Sequence, residues 1–206
     1  APRLTMTFET PLIEARLIKR YKRFLADIEL PSGEIITAHC PNSGRMTNCG
    51  DEGSQVLIRH VDDPKRKLKY TWEPVEAQDR WICINTGRAN QIVGEALRAG
   101  QVPELDHFNE VQAEFKYGKS RIDFMLKNET TKCLVEVKSV SLINGVVASF
   151  PDAPTVRGLK HLNELGEALN EGWTCFMLYL VMCDGVEFFE PAKEIDPAYA
   201  KRLAEV

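Results

Sequence analysis

Residues 119–139 read KSRIDFMLKNETTKCLVEVKS, two runs of alternating apolar and polar residues joined by a short polar segment. Successive side chains of a β-strand point to opposite faces. One face therefore carries the apolar residues of both runs, namely Ile122, Phe124, Leu126, Cys133, Val135 and Val137. The other face carries the charged residues, namely Arg121, Asp123, Glu136 and Lys138. The pattern predicts a β-hairpin with one apolar side and one charged side.

The position of the turn sets the register of this hairpin. A two-residue turn at Glu129-Thr130 places Asp123 directly opposite Glu136 and Lys138 opposite Arg121. A slip of one residue would mix the two faces, whereas a slip of two residues would preserve them. The faces follow from the alternation alone, and the register follows from the turn.

The charged face has the composition of a metal-dependent hydrolytic site. Two carboxylates opposed across a hairpin repel at a cost of a few tenths to about 1 kcal/mol. A hard cation removes this repulsion, and Mg²⁺ takes one or two carboxylates, keeps several waters and contacts phosphate. Asp123 and Glu136 are therefore predicted to bind Mg²⁺ or Mn²⁺, with Lys138 orienting water or stabilising charge on a phosphate. The charged face therefore predicts a phosphodiester-hydrolysing site of the PD-(D/E)xK type; the alternative is a surface hairpin with ordinary salt bridges.

The chain before the hairpin begins with an all-β part. Strands separated by turn residues are predicted for residues 14–30, 35–39, 55–61 and 68–72, with a Gly- and Asn-rich loop over 40–53. Several short strands without a helix are typical of a small β-barrel or sandwich. We place the boundary near residues 73–80 and assign residues 1–76 to this first domain.

Residues 77–206 are predicted to form an α/β domain. A strand at 81–84 precedes a helix with the apolar stripe Ala89, Ile92, Val93, Ala96 and Leu97. Strands follow at 110–117, 120–126 and 132–140. A helix capped by Thr155, with the stripe Leu159, Leu162, Leu165 and Leu169, leads to residues 173–182, an apolar run typical of a strand buried on both faces. Helix, three strands, helix, strand is the core layout of PD-(D/E)xK nucleases.

Four ordered motifs extend the pattern along the chain: HCPNSGRM at 39–46, SRIDF at 120–124, EVKSV at 136–140 and FPDA at 150–153. Together with YKRFLAD at 21–27 they resemble the sugar fermentation stimulation protein A family nearly end to end. The resemblance implies an N-terminal OB-like barrel that binds DNA, a C-terminal PD-(D/E)xK-type domain and a role in regulating maltose genes. It also implies that Asp123 and Glu136 are the metal-binding carboxylates of the PD-(D/E)xK motif and that Lys138 is its lysine.

The resemblance adds one residue and shows one departure. Related nucleases often add a Glu from the helix before the sheet, and Glu95 is the matching candidate; the alternative is a solvated helix residue. The family usually continues past residues 199–206 with another short strand, and we attribute its absence here to truncation or disorder.

Composition limits the partners and the compartment. A net charge of −4 excludes a protein that coats nucleic acid through its overall charge, although a local basic surface is compatible with it. No apolar run approaches the roughly 20 residues that span a bilayer. The six cysteines show no Cys-x-x-Cys or close Cys/His pairing, so a zinc site has little support and reduced thiols are expected. These features predict a soluble cytoplasmic protein without a membrane partner, and they do not bear on oligomeric state.

Basic residues are predicted to contact DNA in several places. The first cluster is interleaved with Tyr21 and Phe24 and consists of Arg16, Lys19, Arg20, Lys22 and Arg23. OB-type barrels bind single strands with aromatic platforms in a basic groove. Further candidates are Asn42 and Arg45 in the Gly-rich loop and Arg157 in the second helix; the alternatives are solvated positions or simple turn geometry. A second cluster consists of Lys65, Arg66, Lys67 and Lys69.

The leading hypothesis is a two-domain DNA-binding protein with a Mg²⁺-dependent deoxyribonuclease site. The alternative is a non-catalytic DNA-binding transcriptional regulator of sugar (maltose) metabolism genes that retains the nuclease fold. A third hypothesis is an RNA-binding module.

Overall fold

The N-terminal part of the chain closes into a five-stranded β-barrel. The computed structural model describes residues 1–206. The barrel strands are β1 (Ile13–Tyr21), β2 (Leu25–Glu29), β3 (Ile35–His39), β4 (Gln55–His60) and β5 (Tyr70–Ala77). They pair in the order β3-β2-β1-β4-β5, and parallel pairing of His39 with Thr71 joins β3 to β5 and closes the barrel. The predicted small β-barrel is confirmed.

The barrel core follows from the alternation of apolar residues along these strands. Its fully buried side chains include Leu17, Ala26, Ile28, Val56, Ile58 and Trp72. Burying apolar surface is worth about 25 cal/mol per Å², so these inward positions provide the main stabilisation of the barrel.

The segment predicted as one strand over residues 14–30 is two strands, and that prediction was wrong. Lys22 and Arg23 have positive φ angles of 48° and 63° and form the turn between β1 and β2 together with Phe24. Positive φ is uncommon for residues other than Gly, Asn and Asp, so the residue types do not reveal the turn. The first basic cluster therefore lies partly on a hairpin tip.

The barrel sheet extends farther along the chain than the strand predicted at 68–72. β5 continues to Ala77, and β6 (Arg80–Cys83) pairs with it antiparallel after a turn at Gln78 and Asp79. The backbone N–H of Cys83 donates to the carbonyl of Met182 at 3.0 Å. β6 thus pairs with the barrel sheet and also contacts the C-terminal part.

The C-terminal part is a four-stranded sheet between two helices, with a small second sheet. Its elements are, in chain order, α1 (Gly87–Arg98), a 3-10 helix (Pro103–Leu105), β7 (Glu110–Tyr117), β8 (Ser120–Lys127), β9 (Lys132–Val140), β10 (Leu142–Asn144), β11 (Val147–Phe150), α2 (Val156–Asn170), β12 (Thr174–Val181), β13 (Phe188–Pro191) and α3 (Pro197–Glu205). The main sheet has the order β12-β9-β8-β7, and the small sheet has the order β10-β11-β13. α1 packs against Phe124 and Val135 on one face, and α2 packs against Leu134 on the other. The small sheet and α3 were not predicted.

The central hairpin has the predicted register. β8 and β9 pair antiparallel from Phe124 opposite Val135 to Lys127 opposite Lys132. The ladder ends at Phe124, and Ile122 packs with Met125 and Leu134 on the α2 side instead of with Phe124. The predicted strand alternation therefore fails at Ile122, which pairs with Phe115 of β7 but lies beyond the end of the β8–β9 ladder.

Two other predicted apolar surfaces differ from the structure. In α2, Thr155 caps the helix as predicted, but the buried face includes His161, whereas Leu169 is 43% exposed. The strand predicted to be buried on both faces, β12, lies at the edge of the sheet, and each of its residues is half-buried. An edge strand has a neighbour on one side only, and hydropathy alone does not distinguish it from a central strand.

The cysteines are all free thiols. Burial raises the pKa of Cys49 and of Cys133 to about 12, which keeps both thiols neutral. None of the helices combines the length and the apolar composition of a membrane-spanning helix.

Candidate metal site and nucleic-acid cleft

A cleft of about 910 Å³ lies where the barrel meets the α/β part. Its walls come from the barrel loop 42–45, the start of α1 and the segment 149–158, and its floor comes from β8 and β9. Each of the four sequence motifs contributes residues to this cleft. Segments that are far apart in the chain therefore form one site.

Asp123 and Glu136 lie side by side on the floor. The backbone N–H of Asp123 is 3.4 Å from Oε2 of Glu136, and the backbone N–H of Val137 donates to Oδ2 of Asp123 at 2.8 Å. Nδ2 of Asn90 donates to Oδ1 of Asp123 at 2.8 Å. These donors hold Asp123 in place, and Glu136 is only 3% exposed.

Lys138 and His161 contact the other oxygen of Glu136. Nδ1 of His161 lies 2.5 Å from Oε1 of Glu136, and Nζ of Lys138 lies 3.3 Å from the same oxygen. Nζ of Lys138 is also 2.9 Å from Nδ1 of His161. A neutral imidazole nitrogen either donates or accepts, and we assign the hydrogen to Nδ1 because its shorter contact is to a carboxylate. Oε1 is thus held by two donors, while Oε2 has one long contact.

The surroundings move the pKa values of the two carboxyl groups apart. Burial raises the pKa of Asp123 above its ordinary value, and the negative charge of Glu136 raises it further. Burial also pushes the pKa of Glu136 upward, but the hydrogen bond from His161 and the charge of Lys138 outweigh it, so that pKa is lowered. Paired groups with opposite pKa shifts are characteristic of functional sites.

The two carboxylates suit a hard divalent cation better than zinc. No group of three or more His, Cys, Asp and Glu side chains is arranged to hold a metal. A cation between Asp123 and Glu136 would therefore rest on two carboxylates and water, which is the arrangement that Mg²⁺ prefers and Mn²⁺ accepts. Asp123 has a raised pKa because it is buried beside another carboxylate, and a cation would relieve that unfavourable environment.

Glu95 does not reach the site. Its side chain is exposed on α1 and accepts a hydrogen bond from Gln91 at 3.2 Å. The α1 residue that contacts Asp123 is Asn90, which the sequence analysis missed. At 100° per residue, Asn90 lies at the edge of the buried stripe and Glu95 lies farther round on the solvent side. The helical spacing therefore could have indicated that Asn90, rather than Glu95, faces the sheet.

Three of the predicted DNA-binding residues line the cleft with exposed side chains, namely Arg23, Arg45 and Arg157. They come from the barrel turn, the barrel loop and α2 respectively. The cleft is therefore bordered by guanidinium groups from both parts of the chain.

Arg20 and Asn42 also line the cleft, but their side chains brace the loop. The Arg20 guanidinium donates to the carbonyls of Asn42 at 2.7 Å and of Gly44 at 3.0 Å. Asn42 is buried, donates to the carbonyl of Ile84 at 2.9 Å and accepts from the N–H of Gly44. Neither polar group of Asn42 faces an open surface, so the structure gives this residue a role in loop geometry.

The remaining members of the first basic cluster lie outside the cleft. Arg16, Lys19 and Lys22 are exposed on β1 and its turn, and Lys19 lies over the ring of Tyr21. These three residues are available only to a partner that extends beyond the cleft along the barrel.

Asp152 connects the barrel loop to the α/β part. Its Oδ2 accepts the backbone N–H of Met46 at 3.0 Å. A Cβ atom at Gly44 would lie 2.7 Å from the same oxygen, so any larger residue there would force the Asp152 carboxylate to shift. Both residues belong to sequence motifs, but the motifs are far apart in the chain and do not indicate this contact.

Comparisons with known proteins agree with this architecture. The SfsA N-terminal OB domain matches residues 18–84, and the sugar fermentation stimulation protein RE domain matches residues 87–206. A sugar fermentation stimulation protein homolog from Pseudomonas fluorescens (strain Pf0-1) is 54% identical over 205 residues, covering 97% of this chain and 86% of the relative. The homolog from Marinomonas sp. (strain MWYL1) is 51% identical over 203 residues, covering 97% of this chain and 79% of the relative.

A solved structure gives a similar result. Pyrococcus furiosus SfsA, determined in complex with Ca²⁺, superposes with a TM-score of 0.89 at 25% sequence identity. The match covers 98% of this chain and 86% of that chain.

Proposed function

The chain belongs to the sugar fermentation stimulation protein family, and we propose that it binds DNA and hydrolyses phosphodiester bonds. Asp123 and Glu136 would hold Mg²⁺ or Mn²⁺ in an α/β domain of the PD-(D/E)xK type. The observation that carries the proposal is the pair of adjacent carboxylates, with Lys138 beside them, on the floor of a cleft bordered by arginines.

Each side chain has a separate role in this proposal. When bound, the cation polarises the phosphate and lowers the pKa of a coordinated water. Lys138 stabilises the negative charge that develops on the phosphate oxygens. His161 holds Oε1 of Glu136, so Oε2 would be the oxygen left to coordinate the cation. Arg23, Arg45 and Arg157 hold the flanking phosphates.

The Pyrococcus furiosus relative supports a hard cation as the partner. That protein was determined in complex with Ca²⁺. Ca²⁺ and Mg²⁺ both take oxygen ligands, and carboxylates are the ligands they share. Asp123 and Glu136 provide such ligands in this chain.

One observation favours a second function, a DNA-binding transcriptional regulator of sugar metabolism genes without turnover. Oε1 of Glu136 is already satisfied by His161 and Lys138. A carboxylate that already has partners within the protein does not need a metal ion to balance its charge. In that case the cleft would bind DNA and the carboxylates would serve the structure.

Cleavage assays separate the two functions. Linear, circular and single-stranded DNA are incubated with wild type in Mg²⁺, Mn²⁺ or EDTA, and the same is done with Asp123→Ala and Glu136→Ala. The matched control is Glu95→Ala, which removes an exposed carboxylate outside the cleft. We expect metal-dependent cleavage in wild type and control, and a loss of at least about 100-fold in both site variants.

Two outcomes would contradict the nuclease proposal. Cleavage that survives both site substitutions would exclude Asp123 and Glu136 as the metal acids. DNA binding without cleavage under any metal condition would leave the regulator as the function.

A further inference from the structure

A second cavity of about 530 Å³ lies on the barrel beside the metal cleft. It is lined by His39, Pro41, Arg59, Arg66, Lys67, Leu68, Thr71 and Asn85. Three of these side chains are cations and none is a carboxylate. Such a lining favours an anion, and the metal site does not account for it.

The two arginines of this cavity are held in place. The carboxylate of Glu73, which is fully buried, accepts from Nε of Arg59 at 3.1 Å and from Arg88 of α1 at 2.9 Å. The Arg66 guanidinium donates to Oγ1 of Thr71 at 3.1 Å. Because these side chains are already ordered, an anion that binds them costs less conformational entropy. Lys67 is exposed and makes no hydrogen bond within the protein.

The position of the cavity on the barrel suits a nucleic-acid strand. Arg66 and Lys67 lie in the β4–β5 loop, and Phe24 lies in the β1–β2 turn. In OB-type barrels these two loops and the face of strands 2 and 3 between them bind oligonucleotides. Phe24 is 46% exposed and stacks on His39 with ring centroids 6.4 Å apart. An exposed aromatic ring beside a basic cavity provides a platform for a base.

The barrel cavity and the metal cleft are separated by a narrow ridge. The backbone N–H and Oγ1 of Thr86 each donate to the carbonyl of Pro41 at 3.1 Å. Pro41 and Asn85 line the barrel cavity, whereas their chain neighbours Asn42 and Thr86 line the metal cleft. A flexible strand that leaves one cavity therefore needs to cross only this ridge to enter the other.

We propose that the barrel cavity binds backbone phosphates of single-stranded DNA, whose adjoining nucleotides cross the Pro41–Thr86 ridge into the metal cleft. The fate of the strand in the cleft rests on the proposed nuclease function; binding in the cavity does not. The inference names single-stranded DNA as the substrate class of the metal site.

Size and burial favour a single strand over a duplex. The two volumes lie within the roughly 300–1,000 Å³ of pockets that enclose small molecules, a size that a few flexible nucleotides fill. Glu136 is 3% exposed, so a phosphate has to enter the cleft to reach it.

We name DNA rather than RNA because the proposed function is DNA binding. A protein that selects RNA contacts the 2′-hydroxyl, which can donate and accept, so an RNA of the same sequence tests this choice.

The test measures binding without turnover. Fluorescence anisotropy in EDTA compares a labelled single strand of about 15 nucleotides, the matching blunt duplex and an RNA of the same sequence. Wild type is compared with two cavity variants. The first is a double variant that combines Arg66→Ala with Lys67→Ala. The second is the single substitution Lys67→Glu, which disturbs no internal hydrogen bond. The matched control, Lys193→Ala, Lys201→Ala, removes the same charge from exposed positions outside both cavities.

We expect wild type to prefer the single DNA strand and both cavity variants to bind it at least about tenfold more weakly, with the control unchanged. The slope of log K against log salt should fall by about 1.4 in the double variant, because each phosphate contact with a single strand contributes about 0.7. Unchanged binding in both cavity variants, or tighter wild-type binding of the duplex or the RNA, would overturn the inference.

The inference and the proposed function fail in different ways. Loss of single-strand binding in the cavity variants, with no cleavage by wild type in any metal, refutes the nuclease and keeps the cavity as a binding site. Metal-dependent cleavage by wild type with unchanged binding in the cavity variants refutes the cavity and keeps the nuclease.

Discussion

Replacing Asp123 with asparagine should stabilise the metal-free protein and abolish its stabilisation by Mg²⁺. The carboxyl group is held beside Glu136, and burial and that neighbouring charge raise its pKa, so the ionised form is unfavourable in the fold. Asparagine removes the charge and keeps the shape. Its oxygen can still accept from the N–H of Val137, and its amide can donate to Asn90 after the Asn90 amide turns over.

The magnitude follows from the like-charge pair. Opposed carboxylates on paired strands cost up to about 1 kcal/mol, and 1 kcal/mol corresponds to about 2–4 °C in Tm for a chain of this size. Metal-free Asp123→Asn should therefore melt about 1–4 °C above wild type. At a Mg²⁺ concentration 100 times its Kd, wild type should gain about 2.7 kcal/mol, or roughly 5–11 °C, and the variant should gain nothing.

The contribution of Asp123 to the stability of the fold decreases as pH rises. Because the folded-state pKa of Asp123 is raised, its contribution to stability is fully present below the unfolded pKa of about 3.9 and is lost as pH rises through the folded pKa. Asparagine imitates the protonated form at every pH. The advantage of the variant should be absent below about pH 4 and should grow above it.

Thermal melts followed by circular dichroism, in EDTA and in a Mg²⁺ series, measure all three effects. The control is Glu95→Gln, which neutralises an exposed carboxylate on α1 and should match wild type with and without metal. A metal-free Asp123→Asn that melts below wild type, or that Mg²⁺ stabilises as much as wild type, would refute the reasoning.

Three further substitutions test separate parts of the structure. Glu73→Gln should destabilise the fold by about 3 kcal/mol in chemical denaturation, because it leaves Arg59 and Arg88 without their buried partner; wild-type stability would contradict this. Phe24→Ala should weaken single-strand binding in anisotropy by about 1–3 kcal/mol with little effect on Tm, since its ring is 46% exposed; unchanged affinity would remove the ring from the binding surface. Gly44→Ala should lower stability by about 1–3 kcal/mol in the same denaturation assay, because its Cβ would meet the Asp152 carboxylate; an unchanged midpoint would show that the loop can move away.

Local patterns predicted the centre of the fold well. The alternation in residues 119–139 fails only at Ile122, and with its turn it was sufficient to predict β8, β9 and their register, because period and turn position are both local properties. Thr155 as a helix cap and the strand at β7 were predicted for the same reason. These features need no knowledge of distant segments.

The errors arose where tertiary contacts decide the outcome. The turn at Lys22 and Arg23 needs positive φ at residues that rarely adopt it. His161 of α2 is buried and contacts Glu136 of β9, and the helix sequence alone does not indicate that contact. β12 is as apolar as a central strand, and only the sheet order places it at the edge.

The candidate site shows the same division. Asp123, Glu136 and Lys138 lie on two consecutive strands, so spacing alone brought them together. The contacts of Asn90 with Asp123 and of Asp152 with the barrel loop join elements far apart in the chain. No spacing rule connects such residues.

The most direct test of the central claim is the anomalous X-ray signal of a crystal soaked in Mn²⁺. The account predicts a peak within coordination distance, about 2.0–2.5 Å, of both Asp123 and Glu136, and loss of this peak in Asp123→Asn crystals. A fully soaked crystal with no peak at these carboxylates, or with its peak elsewhere in the cleft, would contradict it.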